Sequence, residues 1–401
     1  MPHDFDRLID RRASNSAKWK FYAQDVLPLW VADMDFAAPE PVQAALQRAV
    51  QHGIFGYEIP TLELRDTVAA RMEKLYGWQV SPEMVVAIPG VIAGFNAAAR
   101  MLCTAGQGIL VQPPVYPPFL SVHKNAALVR QDAPLTLTAE GSALRYGVDF
   151  DVFERALNSG GAHTSMFMLC NPHNPTGQAY SRADLLRMAE LCRRNDTFIC
   201  SDEIHSELLL GGPSTSTREG VRHFPIASLD PEIATCTITL IAPSKTFNVA
   251  GLLCAFAILP NQELLKVYKQ TLEQMALHVS SLGLEVAQAA FSGDCDDWLR
   301  ALLVYLTGNR DFLEAYVKRE FNGIRITHPE ATYLAWLDCH ELVRSGRFNG
   351  TPHEFFLKQA KVALNDGKEF GFGGEGFVRL NFGCPRKTLE EALERMKAAL
   401  A

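Results

Sequence analysis

Hydrophobic and polar positions along the chain follow two periods. At 62–75 apolar residues return every three or four positions, the spacing of one helical face. A second helix is expected at 40–51, between an extended stretch from Pro28 to Glu40 and the glycine-bracketed aromatic loop Gly53-Ile-Phe-Gly-Tyr-Glu58. Beyond these, short apolar runs alternate with helical stretches. Strands are expected at 84–88, 108–112, 126–131, 165–170, 197–201, 236–241 and 252–259, and helices at 91–103 and 183–194, the latter capped by Ser181. Such alternation predicts an α/β fold. The unbroken apolar run 165–170 suits a strand covered on both faces. After a long helical stretch at 262–321, a strand at 331–337, a helix at 352–364, a strand at 377–382 and a helix at 389–400 predict a smaller α+β domain. The expected division is a large domain at 46–282 and a small one built from 1–45 with 283–401. The Pro/Ser/Thr-rich piece from Gly211 to Glu219 reads as a surface loop, and no internal repeat is visible.

Composition narrows the function classes. A chain of 401 residues is long for one core, which fits two domains. Hydrophobic residues at 48% and charged residues at 21% are those of an ordinary soluble protein. A net charge of -7 argues against a nucleic-acid surface, which needs a basic face. The N-terminal segment lacks the apolar core of a signal peptide and no apolar run reaches spanning length, so a cytoplasmic protein with no membrane partner is expected. None of the nine cysteines forms a Cys-x-x-Cys pair, and Cys103, Cys170, Cys200 and Cys254 sit in apolar runs. They read as buried reduced thiols, with no metal site expected.

Candidate chemistry centres on Lys245, in Thr239-Leu-Ile-Ala-Pro-Ser-Lys-Thr-Phe-Asn-Val-Ala-Gly-Leu-Leu253. Its neighbours are apolar or small, so an ammonium there loses hydration and the neutral amine is favoured. A neutral amine condenses with aldehydes, although a surface lysine in a turn fits this stretch equally well. Pro89-Gly-Val-Ile-Ala93 opens a helix directly after a strand, where free N–H groups favour an anion such as phosphate; a plain turn is the alternative. Neither a Walker loop nor a Rossmann fingerprint is present. Tyr116, in a proline-rich loop past a strand end, can stack on a flat ring or simply pack in the core. Asn171-Pro-His-Asn-Pro-Thr-Gly177 forces an irregular turn from which Asn174 could donate to a phenolate oxygen. Asp202 ends an apolar strand and needs a cation: either an arginine or a protonated ring nitrogen. Arg379, between Val378 and Leu380, suits a fixed carboxylate, with an internal ion pair as the alternative.

Together, Asn174-Pro-Thr-Gly, Asp202, Ser244-Lys245 and Arg379 resemble, in order and rough spacing, the fold-type I pyridoxal-phosphate enzymes. Trp30-Val-Ala-Asp-Met-Asp-Phe36, Ser201-Asp-Glu-Ile-His205, Ala242-Pro-Ser-Lys-Thr-Phe-Asn248 and Val378-Arg-Leu-Asn381 look like the cystathionine β-lyase branch. The resemblance implies an aspartate aminotransferase-like fold with a mostly parallel seven-stranded sheet, and pyridoxal 5'-phosphate as cofactor. It implies catalytic roles for Lys245, Tyr57 and Tyr116, with Lys245 carrying the cofactor and moving the Cα proton. Cofactor contacts would come from Gly90, Val91, Ile92, Tyr116, Asn174, Asp202, His205 and Ser244, and Arg379 would clamp the substrate carboxylate. Tyr57 would reach into the site of a second subunit, since these enzymes are dimers with shared active sites. The implied reaction is β-elimination from cystathionine or related cysteine S-conjugates, in methionine biosynthesis; a class I/II aminotransferase is the alternative. Two departures from the aminotransferase pattern favour the lyase branch and leave the phosphate ligands open. His205 stands where many aminotransferases have tyrosine, and Leu253 where many have a phosphate-binding arginine.

Overall fold

The computed structural model describes residues 3–140, 143–159, 161–211, 221–346 and 348–401. The stretch expected as a surface loop at Gly211–Glu219 lies, apart from Gly211, outside them. A seven-stranded sheet organises the chain. Its spatial order is Val85–Ile88, Ala255–Ile258, Thr237–Ile241, Phe198–Asp202, Thr164–Cys170, Gly108–Val111 and Val129–Asp132. Six strands run parallel, and Ala255–Ile258 is antiparallel to both neighbours. Every residue of Thr164–Cys170 and Thr237–Ile241 is buried, as continuous apolar strands covered on both faces require.

Because the strands are parallel, the segments that leave their C-terminal ends gather on one edge of the sheet. Those segments are Pro89-Gly90, the proline loop with Tyr116, the turn from Asn171 to Gly177, Asp202 itself, and Ala242 to Lys245. This is where open α/β sheets place ligands. Helix Val91–Leu102 lies tightly across the sheet, and Gly94 is what permits it: a Cβ there would stand 2.5 Å from Ile88 Cδ1. The Tyr268 hydroxyl donates to the Gly94 carbonyl at 3.0 Å and fixes the approach.

A second sheet of six strands has the order Asn365–Asp366, Phe377–Asn381, Leu334–Asp338, Arg325–Thr327, Ala143–Gly147 and Thr136–Glu140. Leu27–Pro28 pairs in parallel with Val362–Ala363. The chain from 29 to 36 then crosses between the two sheets as a strap without regular structure.

Several expected elements resolve differently. The helical stretch 262–321 is three helices, Gln262–Gln274, Ser281–Phe291 and Asp296–Glu320, with Asn261 and Ser280 capping the first two. The expected helix 352–364 is a helical turn Pro352–Phe355 widening into a π-turn Phe356–Ala360; Lys361 then turns left-handed at φ 54° into the strand Val362–Ala363. The strand expected at 126–131 begins only at Val129, because Ala127 takes φ 52°. Among the described residues no helix is long and apolar enough to cross a membrane. All nine cysteines are free.

Candidate active site

A cavity of about 180 Å³ lies on that sheet edge, lined among others by Gly90, Val91, Ile92, Tyr116, Asn174, Asp202, His205, Ser244, Lys245 and Leu253. Nine of the residues singled out from sequence therefore meet at one place, although they span 156 positions of the chain, from 90 to 245. Arg379 adjoins them through a hydrogen bond from Nη1 to Asn174 Oδ1 at 2.9 Å. Tyr57 does not join them. It lies on the segment between two helices, fully exposed at 109%.

Lys245 stands in a single helical turn, Pro243–Thr246, directly after a buried strand, and its Nζ donates to the Ala32 carbonyl at 2.7 Å. Desolvation lowers its pKa to about 8, with the Arg379 charge adding to the drop and Asp33 and Asp202 opposing it. The turn-lysine alternative is thereby set aside: this amine is half-buried and lines the cavity.

Asp202 is 4% exposed and, among the described residues, has no ion pair, so the arginine partner considered from sequence is absent. Oδ1 accepts from the Ile204 N–H at 3.1 Å, yet burial still raises its pKa to about 7. A carboxylate held this way lacks a counter-charge. Arg379 is the reverse case. Its Nη1 and Nη2 donate to Asn174 Oδ1, Asn365 Oδ1 and the Trp30 carbonyl, all neutral, its buried Nε has no partner, and burial lowers its pKa to about 10. The internal ion pair considered from sequence is not what it makes. His205, its Nδ1 buried without a partner, is pushed down to about 3 and stays neutral. Tyr116 caps the helix Pro117–Asn125; burial and the nearby Asp202 charge raise its pKa.

Helix Val91–Leu102 begins at Gly90, which has φ 118° and offers no side-chain cap, so the first N–H groups of the helix remain available to an anion at the cavity wall. An orphaned cation, an acid without a counter-ion, an uncapped helix start and a neutral-leaning amine fit one kind of guest. A flat, phosphorylated aldehyde with a basic ring nitrogen has the complementary groups, and an amino acid brings the carboxylate that Arg379 lacks. Leu253, 59% exposed at φ 49°, adds no cation for the phosphate.

The strap that closes this site includes the Trp30–Phe36 motif quoted from sequence, to which the sequence alone assigns no role in the site. Ala32 accepts from Lys245 Nζ and from the Tyr333 hydroxyl, the latter at 2.9 Å. Asn381 Nδ2 donates to the Val31 and Asp33 carbonyls at 2.6 and 2.7 Å, and Asn248 Nδ2 to those of Met34 and Phe36 at 2.9 and 2.8 Å. Both asparagines end motifs quoted above, but nothing in the sequence links them to residues more than 200 positions away. A wider hollow of about 790 Å³, lined by Arg145, Tyr180, Arg222 and Glu330 among others, lies elsewhere; its Glu330 is already paired with Arg145 at 2.7 Å.

The chain is similar to known proteins over nearly its whole length. Cystathionine beta-lyase PatB of Bacillus subtilis (strain 168) is 38% identical over 99% of this chain and 100% of its own length. Cystathionine beta-lyase of Corynebacterium glutamicum is 32% identical over 99% of this chain and 100% of its own. The crystal structure of the PLP-bound C–S lyase from Staphylococcus hominis superposes with a TM-score of 0.89 at 29% identity, covering 100% of this chain and 98% of that one. Residues 24–396 match the family described as Aminotransferase class I and II, and the chain belongs to that family.

Proposed function

We propose that the protein is a pyridoxal-phosphate-dependent carbon–sulfur β-lyase acting on cystathionine or related cysteine S-conjugates. The observation that carries this is the triangle of desolvated groups: Lys245 with its pKa lowered to about 8, Asp202 without a cation and Arg379 without an anion. The names of the relatives favour the lyase over the transferase.

Lys245 would hold the cofactor covalently, with Asp202 against its ring nitrogen, Asn174 donating to its ring oxygen, Tyr116 on its face and His205 beside it. The N–H groups of Gly90, Val91 and Ile92, with Ser244, would take the phosphate. When bound there, pyridoxal phosphate supplies an electron sink conjugated to the substrate's Cα. Arg379 orients the substrate by its carboxylate. Lys245, released as a neutral amine, takes the Cα proton as general base, and the thiolate departs from Cβ. With one water the products of cystathionine are homocysteine, pyruvate and ammonia, which places the reaction in amino-acid metabolism and next to methionine formation.

Val50, Ile54, Phe55, Tyr57 and Ile59, all exposed and apolar within ten positions of one another, support a homodimer, with Tyr57 completing the partner's site. Residues 46–282 and 1–45 with 283–401 are the proposed domains, and the cytoplasm the proposed compartment.

The test is incubation with cystathionine and no keto acid. The lyase gives pyruvate and free thiol over many turnovers. A class I/II aminotransferase would instead stop after one equivalent, with the cofactor left in its amine form.

A further inference from the structure

Residues 30–36 are held from the outside by two cations, Arg11 and Lys18, which grip the strap's own Asp33 and Asp35; the proposed chemistry uses none of the four. Arg11 donates to Asp33 Oδ2 at 2.8 Å through Nη2, and to Asp35 Oδ1 at 2.6 Å and the Met34 carbonyl at 3.1 Å through Nη1. Lys18, buried at 1% exposure, donates to Asp35 Oδ2 at 2.8 Å and to the Asp33 carbonyl at 3.2 Å. The Trp19 indole N–H adds a bond to Asp35 Oδ1 at 2.8 Å. Two cations and two anions make the cluster neutral, and it shares two acceptors with the asparagines on the same strap: the Met34 carbonyl also takes Asn248, and the Asp33 carbonyl also takes Asn381.

Inside the strap, the backbone holds the two side chains proposed to act on the substrate. The Ala32 carbonyl takes the Lys245 amine, and the Trp30 carbonyl takes Arg379 Nη2 at 2.9 Å. Asp33 follows Ala32 directly in the chain, and its negative charge raises the pKa of that amine.

We propose that Arg11, Lys18, Asp33 and Asp35 are positioning residues that lock the strap so that its carbonyls hold Lys245 and Arg379, with the Arg11–Asp33 pair adjusting the basicity of the Lys245 amine. The groups facing that amine are Asp33 from the strap, Asp202 and His205 from the central strand end, Arg379 from the second sheet, Tyr116 from the proline loop and Tyr333 through the shared Ala32 carbonyl. Of these charges, Asp33 is the one that a further ion outside the cavity partly neutralises. Removing Asp33's charge therefore makes Lys245 easier to deprotonate, and removing Arg11's charge makes it harder.

This rests on Lys245 being the reactive amine, but its test needs no turnover. In the full-length chain freed of cofactor, acetic anhydride labelling of Lys245 is followed by mass spectrometry against pH. The expected midpoint falls in Asp33→Asn and rises in Arg11→Met, each by roughly half a pH unit or more. It returns toward the parent in the double variant and stays there in Arg11→Lys. In the loaded enzyme, Arg11→Met also raises KM for the amino acid by about three- to tenfold, and Arg11→Lys restores it. Equal midpoints in all variants, or shifts of one sign in both single variants, overturn the proposal even if pyruvate is formed. Opposite shifts without any turnover would leave it standing and sink the lyase reading instead.

Discussion

Asp202 and Arg379 are buried without ionic partners, and that cost is what makes each available to a ligand. For Asp202 the sign follows from its carboxyl being held at about 7 against an ordinary 3.8. The folded protein keeps the proton that the unfolded chain releases, so stability is fully present below about pH 4 and lost as pH rises to 7. The span corresponds to at most about 4 kcal/mol. In cofactor-free protein, Asp202→Asn should accordingly be the more stable form above pH 7, the gap closing toward pH 4, as read by urea denaturation. Adding pyridoxal phosphate should reverse that order, because only the carboxylate gains a counter-charge. At Lys245 the general-base role predicts that Lys245→Ala lowers kcat by about 10²–10⁴-fold in a pyruvate assay. The individual residues were legible because each breaks a local rule: a lysine among apolar neighbours, an acid at the end of a buried strand, an arginine inside one. What each was paired with was not legible, since an orphan and an ion pair look alike until the other side of the site is in place.

The strap and the sheet edge are the elements that convert these residues into a site. Asn381 is fully buried and donates to two carbonyls of the strap while accepting from the Gly383 N–H, so Asn381→Ala takes a donor from each carbonyl and leaves that N–H unpaired. A loss of about 2–4 kcal/mol in urea denaturation is expected, together with a raised KM, since the Trp30 carbonyl that steadies Arg379 belongs to the same strap. The central strands of the large sheet stood out in sequence because strands covered on both faces are mostly apolar; the edge strand Val129–Asp132 carries no such signal. The hairpin Thr136–Glu140 with Ala143–Gly147 did not, because a half-exposed pair such as Thr-Leu-Thr-Ala carries little apolar signal. It joins the second sheet from within the stretch 46–282, a long-range pairing with Arg325–Thr327 that no local pattern announces. The strap has no period at all; its order comes from side chains at 11, 18, 248, 333 and 381.

At the scale of the whole molecule, the cavity is open where Ile92 and Leu253 stand exposed, and the apolar face from Val50 to Ile59 remains uncovered. A second copy covering that face should double the 44.4 kDa mass in sedimentation, and Tyr57→Ala should reduce kcat/KM while leaving the fold and the sedimenting mass unchanged. A monomer with full activity would refute the shared site. The central claim, however, concerns one amine. Protein loaded with pyridoxal phosphate, reduced with borohydride, digested and read by mass spectrometry should carry the phosphopyridoxyl group on the peptide containing Lys245. A label on any other lysine, or none, would contradict it.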